Sequence, residues 1–161
     1  MKFFVISDTH GKIDKVLTIY EKLTGLDGII HLGDVAGDVR RLAQATGREI
    51  ISVSGNNDGF FGRDDFHILD TEYGKILLTH GHRQHVKSGL QKLKYRTMEL
   101  ECRAVLFGHT HLPVFTESTG IYFVNPGSLT YPADGSGGSY AIVNTSKDEF
   151  SASIVYYQNV M

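Results

Sequence analysis

The sequence predicts an α/β fold that opens with a parallel sheet, and three observations carry that prediction. Short apolar runs alternate with helical periods early in the chain, and each run stops at a polar cluster containing Asp, Asn or His. The helical period then vanishes from roughly the last fifty residues, where only strand-like runs recur.

Lys2 to Ile6, rich in β-branched and aromatic residues, reads as a buried strand that ends at Ser-Asp-Thr-His-Gly. Ile13, Val16, Leu17, Tyr20 and Leu23 recur at helical spacing, with Gly25 as the stop. Gly28 to Leu32 is the second strand, closed by Gly33-Asp34. Asp38 is the expected N-cap of a second helix through Val39, Leu42 and Ala45, with Gly47 beyond its end. Glu49 to Val53 is the third strand and runs into Ser54-Gly55-Asn56-Asn57-Asp58. Phe66 to Thr71 and Lys75 to Thr79 flank Glu72-Tyr73-Gly74 as a hairpin. Leu90, Leu93, Thr97 and Leu100 mark a third helix, and Ala104 to Phe107 a strand ending at Gly108-His109-Thr110-His111. Val114 to Glu117, Ile121 to Val124, Ser139 to Val143 and Phe150 to Tyr157 complete the strands, with a loop over Ser128 to Gly138. The expectation is one α/β unit with a second, mainly antiparallel sheet laid against the first.

The chain has 161 residues, enough for one domain with a sizeable core and short for two, so a single domain over 1–161 is expected. A hydrophobic fraction of 41% and a charged fraction of 21% argue against disorder and coiled coil. The net charge of −2 gives no general electrostatic grip on nucleic acid. One cysteine, Cys102, builds no disulfide framework, and the first apolar run is too short for a signal peptide or membrane span, so the expected address is the cytoplasm. Eight histidines stand out in a chain this small.

In open α/β sheets ligands bind beyond the carboxyl ends of the strands. The polar clusters should therefore meet in one crevice: Asp8 and His10; Asp34; Asn56, Asn57 and Asp58; His80 and His82; His109 and His111. Carboxylate, amide and imidazole groups with no cysteine suit a divalent transition metal, with manganese expected first and nickel, zinc, iron or cobalt as alternatives. A catalytic zinc typically takes about three protein ligands, and this cluster offers more, which argues for two ions roughly 3.5–4 Å apart. The chemistry implied is metal-assisted hydrolysis of a phosphate ester.

Asp8-Thr9-His10, Gly33-Asp34, Gly55-Asn56-Asn57-Asp58, His80-Gly81-His82 and Gly108-His109-Thr110-His111, in that order, resemble the calcineurin-like metallophosphoesterase superfamily. Asn125-Pro126-Gly127-Ser128 and the small size are similar to its compact bacterial and archaeal phosphodiesterase branch. The resemblance covers essentially the whole chain. It implies a four-layer αββα sandwich of two mixed sheets flanked by helices. It also implies that Asp8, His10 and His111 hold a first ion, that Asp34 bridges, and that Asn56, His80 and His109 hold a second, with a hydroxide between the ions attacking phosphorus. Many larger members carry, after the metal-binding Asn, a histidine that assists the leaving group; here that position is Asn57. An amide donates a hydrogen bond but delivers no proton at neutral pH, which favours small diesters with good leaving groups. His82 is the candidate substitute.

Three other readings stand beside that one. The eukaryotic retromer subunit shares the compact fold as a non-catalytic interaction scaffold with part of its metal site lost, whereas all seven ligand positions here carry competent residues. A phosphomonoesterase or phosphoprotein phosphatase is disfavoured by Asn57 and by the lack of large inserted loops. Outside the motifs, His31 reads as a satisfied core histidine, His67 and His85 as surface residues, Cys102 as packing, and Arg83 as a solvated loop residue rather than a phosphate contact. Phe60-Phe61 fits a leaving-group pocket or a subunit contact, and with the late apolar strands it points to a homodimer or homotetramer.

Overall fold

The computed structural model describes residues 1–58 and 65–157. Its strands are β1 (Lys2–Ile6), β2 (Gly28–His31), β3 (Ile50–Ser52), β4 (Phe66–Thr71), β5 (Gly74–Thr79), β6 (Ala104–Leu106), β7 (Pro113–Ser118), β8 (Ile121–Pro126), β9 (Ser139–Thr145) and β10 (Phe150–Tyr156). Its α-helices are α1 (Asp14–Tyr20), α2 (Ala36–Thr46) and α3 (Gln91–Glu99). Two five-stranded sheets result, ordered β10-β9-β1-β2-β3 and β4-β5-β6-β8-β7.

Alternation along β1 shows how the layers form. Phe3 and Val5 face a central core shared with Ile76, Leu78, Leu106 and Val124 of the second sheet. Phe4 and Ile6 point the other way, onto Val16 and Ile19 of α1 and Val39 and Leu42 of α2. Across the molecule, Leu77, Val105 and Phe123 leave the second sheet outward and pack with Leu93 of α3. The order is helix, sheet, sheet, helix. Strands buried on both faces carry unbroken apolar runs, which is why β1, β2 and β6 were legible.

Both sheets are mixed, and this revises the expectation of a mainly antiparallel second sheet. β1, β2 and β3 are parallel, but β9 adds antiparallel to the free edge of β1, and β10 adds to β9. The last two strands therefore complete the first sheet. In the second, β5, β6 and β8 are parallel while β4 and β7 are antiparallel edges. The α3 crossover between β5 and β6 imposes the parallel pair, because a tight turn cannot join parallel strands. β9 is buried along nearly its whole length inside the chain. Phe60-Phe61 lies outside the described residues.

Two helix boundaries also differ. α1 ends at Tyr20, after which tight-turn bonds from Lys22 to Ile19 and from Leu23 to Tyr20 carry the chain to Gly25, whose φ is 69°. Asp38 lies inside α2 and does not cap it. The cap comes from another loop, where Asp58 Oδ1 accepts the Ala36 N–H at 2.6 Å. Gly47 ends α2 in the left-handed conformation, as its position predicts. No helix among the described residues is long and apolar enough to cross a membrane.

Candidate metal centre

β1, β2 and β3 of one sheet and β5 and β6 of the other deliver their C-terminal loops to the same end of the sandwich. Asp8 and His10 follow β1, Asp34 follows β2, Asn56 follows β3, His80 follows β5, and His109 and His111 follow β6. The main chain at this end is unusual. Asp8, His10, Asp34, His109 and His111 all have positive φ, between 46° and 73°. Non-glycine residues in this region cost about 1–3 kcal/mol each and persist where surrounding contacts over-determine them.

Those contacts can be named. Asp8 is fully buried, and its Oδ2 accepts Ser7 Oγ at 2.5 Å and the His109 N–H at 3.0 Å. Gly108 lets the strands close here, since a Cβ on it would meet Ser7 Oγ at 2.1 Å. Asp34 is clamped by Asn57, whose main-chain N–H donates to Oδ1 (3.0 Å) and whose Nδ2 donates to Oδ2 (2.9 Å). Asp58 holds the same loop by accepting the N–H groups of Asp34 and Gly55 on Oδ2, at 3.0 and 2.6 Å. Asp58 thus fixes the ligand loops and caps α2, a role sequence reasoning did not assign; its place at the end of Gly-Asn-Asn-Asp was the available signal. Asn125 Nδ2 donates to the Gly108 carbonyl and to Thr110 Oγ1, and Ser128 Oγ donates to the Asp8 carbonyl. The Asn-Pro-Gly-Ser segment therefore steadies two ligand loops.

The imidazoles are aimed by their outer nitrogens. His80 Nδ1 faces the Leu32 carbonyl at 2.7 Å and His111 Nδ1 the Tyr131 carbonyl at 2.7 Å, leaving each Nε2 inward. Asp8 Oδ1 lies 3.3 Å from His111 Nε2, 3.7 Å from His80 Nε2 and 3.9 Å from His10 Nε2, and although buried it has no hydrogen-bond partner among the described residues. Asp34 Oδ2 lies 3.5 Å from His80 Nε2 and 3.9 Å from His10 Nε2. Ligand atoms of Asp8, His10 and His111 lie within 4.8 Å of one another, as do those of Asp8, Asp34 and His80. His80 Nε2 is also 3.1 Å from Asn56 Oδ1 and 3.2 Å from His109 Nδ1. All seven predicted ligands thus converge. A buried carboxylate oxygen without a donor, ringed by imidazole nitrogens, is a donor set that fits a divalent cation.

The chain matches the family model described as the calcineurin-like phosphoesterase superfamily domain over residues 1–148. It belongs to that superfamily. A probable metallophosphoesterase of Bacillus subtilis is 32% identical over 98% of this chain and 90% of its own. A phosphodiesterase of Methanocaldococcus jannaschii is 30% identical over 79% of this chain and 83% of its own. The solved structure of Vps29 from Entamoeba histolytica, complexed with zinc, superposes with a TM-score of 0.78 over 98% of this chain and 99% of that one; at 21% identity this is a likeness of fold.

In this calcineurin-like phosphoesterase the electrostatics also prepare for a cation. Burial pushes the Asp8 carboxyl up, but the facing His111 and His80 imidazoles and the Ser7 hydroxyl outweigh it and hold the group below its ordinary value. Asp34 goes the same way: burial opposes ionisation, and His80 and Asn57 overcome it. The pair remains ionised. His80 is raised despite burial because Asp34 and Asp8 face it, and His111 is raised by the Asp8 carboxylate facing its Nε2. That negative field is the one a metal ion would experience. His109 is pushed down to about 4 by burial and by His80.

Of the two further predicted residues, Asn57 supports Asp34, as described. His82 is partly buried, with its ring 5.4 Å from His80 and 6.2 Å from His109 and its Nδ1 without a partner. Burial, His80 and Arg83 lower its pKa. His31 is a buried core histidine, accepting the Gly33 N–H on Nδ1 and donating from Nε2 to Thr9 Oγ1, and burial pushes it down to about 4. Thr9 passes the chain on to Asp38. His67 and His85 are exposed, Cys102 is packed beneath α3, and Arg83 pairs with Asp65 at 2.6 Å.

Proposed function

We propose that this chain is a cytoplasmic, dinuclear metal-dependent phosphodiesterase acting on a small phosphodiester. One observation carries the reading: the unpartnered, buried Asp8 Oδ1 with three imidazole Nε2 atoms between 3.3 and 3.9 Å of it. Asp8, His10 and His111 would hold one ion, and Asn56, His80 and His109 the other. Asp34 would bridge, since its Oδ2 lies between His10 and His80. When bound, two such ions supply an activated water and positive charge around phosphorus. Manganese is the metal we propose, because the donors are oxygen and imidazole without thiolate.

The chain's own residues set up the rest. Ser7, the His109 N–H and Asn57 keep both carboxylates oriented. Asn57, exposed beside Asp34, and His82, beside His80 and His109, would contact the phosphate oxygens. Asn57 delivers no proton, so esters with good leaving groups are favoured, and the archaeal relative named a phosphodiesterase agrees with a diester preference. The single buried Cys102 suits a reducing compartment.

Hydrolysis of a panel of aryl phosphomonoesters and phosphodiesters, with and without chelator, tests this reading. We expect activity on the diesters, its loss in chelator and its return with manganese. Activity indifferent to chelator contradicts the metal mechanism, preference for monoesters contradicts the substrate class, and inactivity in every metal returns the protein to the scaffold reading.

A further inference from the structure

The loop that follows β8 places an aromatic side chain at the rim of the metal centre. Tyr131 is half exposed, its ring centroid is 5.5 Å from that of His10, and Lys12 Nζ sits 5.3 Å from the centre of the ring. The loop is tied to the ligand loops through its main chain and neighbouring hydroxyls. Ser128 Oγ accepts the Thr130 and Tyr131 N–H groups while donating to the Asp8 carbonyl. Thr130 Oγ1 donates to the Thr9 carbonyl, the Ala133 N–H to the His111 carbonyl, and the Tyr131 carbonyl receives His111 Nδ1. The main chain that carries the ring is therefore fixed against the His10 and His111 loops. A tyrosine so placed offers a large, rigid, amphipathic face at low entropic cost.

We propose that Tyr131, with Lys12 beside it, forms the leaving-group subsite and takes a planar aromatic ring in the leaving group, either the base of a nucleoside or a simple aryl group. This rests on the phosphoester reading of the metal centre. Stacking on Tyr131 accepts any flat π-face, and the Lys12 ammonium adds positive charge where a phosphate-linked ring arrives. A hollow of about 280 Å³ lined by Lys12, Asp14, Lys15, Leu129 and Thr130 adjoins the ring through Lys12. Its lining combines apolar surface with the polar groups of Lys12, Asp14, Lys15 and Thr130, a mixture that suits a nucleoside. A saturated alkyl group would gain no stacking on the ring.

Calorimetric binding of adenosine 5′-monophosphate, phenyl phosphate and methyl phosphate to the manganese-loaded protein tests the subsite without turnover. The two aromatic ligands should bind about tenfold more tightly than methyl phosphate. Tyr131→Ala should bring all three within about twofold, and Tyr131→Phe, which keeps the π-face, should retain the preference. Tighter binding of adenosine 5′-monophosphate than of phenyl phosphate assigns a nucleoside, and the reverse assigns an aryl group. Methyl phosphate binding with no aromatic preference, or a preference that survives Tyr131→Ala, overturns the subsite alone. Failure of methyl phosphate to bind the loaded protein removes the phosphoester reading, and the subsite with it.

Discussion

The floor of the metal centre and the core between the sheets are built from the same strands, yet they obey opposite rules. In the core, Val5, Ile30, Leu78, Leu106 and Val124 are apolar, buried and held in regular ladders. A few residues further along those strands, the chain buries Asp8 and Asp34, leaves Asp8 Oδ1 without a partner, and turns five candidate ligands into left-handed backbone. Rigidity is generated in one region and used in the other. Strain at the floor persists because the ladders and the Asp58, Ser7 and Ser128 hydrogen bonds leave those loops no alternative.

Substitution should separate the two regions, with the largest effect at the floor. Asp34→Ala is expected to lower kcat/KM by roughly a thousandfold, with a smaller stability loss in the metal-free protein than a core truncation causes, because Asn57 and His80 lose an acceptor but no apolar cavity opens. Leu106→Ala should do the reverse: a stability loss of about 2–5 kcal/mol in denaturant titration, with activity per folded molecule retained. Unfolding curves and kinetics on the same preparations check both, and an Asp34→Ala protein that unfolds as readily as Leu106→Ala would erase the distinction.

His31 lies between the regions and gives the comparison a pH dependence. Its folded pKa of about 4 is below its ordinary value of 6.5, so the unfolded chain binds the extra proton and the neutral ring stabilises the fold above that ordinary value. Stability is lost as pH falls from about 6.5 towards 4, by up to about 3 kcal/mol. His31→Gln should remove that part of the slope in unfolding measured from pH 7 to pH 4, and a slope shared by both proteins assigns it elsewhere. The smallest effect concerns backbone strain. His10→Gly, at φ 46°, should leave the metal-free protein as stable or up to about 1 kcal/mol more stable. A loss above about 1 kcal/mol in the same assay would place the strain elsewhere.

What the sequence revealed follows the same divide. The buried strands were legible because strands covered on both faces are continuous apolar runs, and the ligands because polar clusters at strand ends have few other uses. Sheet membership of β9 and β10 was not, since pairing is decided by a free edge of β1 more than a hundred residues away rather than by local pattern. Asp38 was read as a cap because it precedes an apolar helical period. In three dimensions its Oδ2 receives Thr9 and the Gly11 N–H, while Asp58 reaches over to cap α2. Tyr131 gave no signal, because an aromatic residue in a Gly-rich loop acquires meaning only from what that loop is tied to.

On the proposed mechanism the floor holds two ions that the chain needs for hydrolysis. Metal content per chain, measured while manganese is titrated into the chelator-treated protein and diester hydrolysis is followed in parallel, tests it most directly. The account predicts two ions per chain, activity that rises with the second, and loss of both in Asp34→Ala. One ion or none at full activity, or activity that precedes binding, would contradict it.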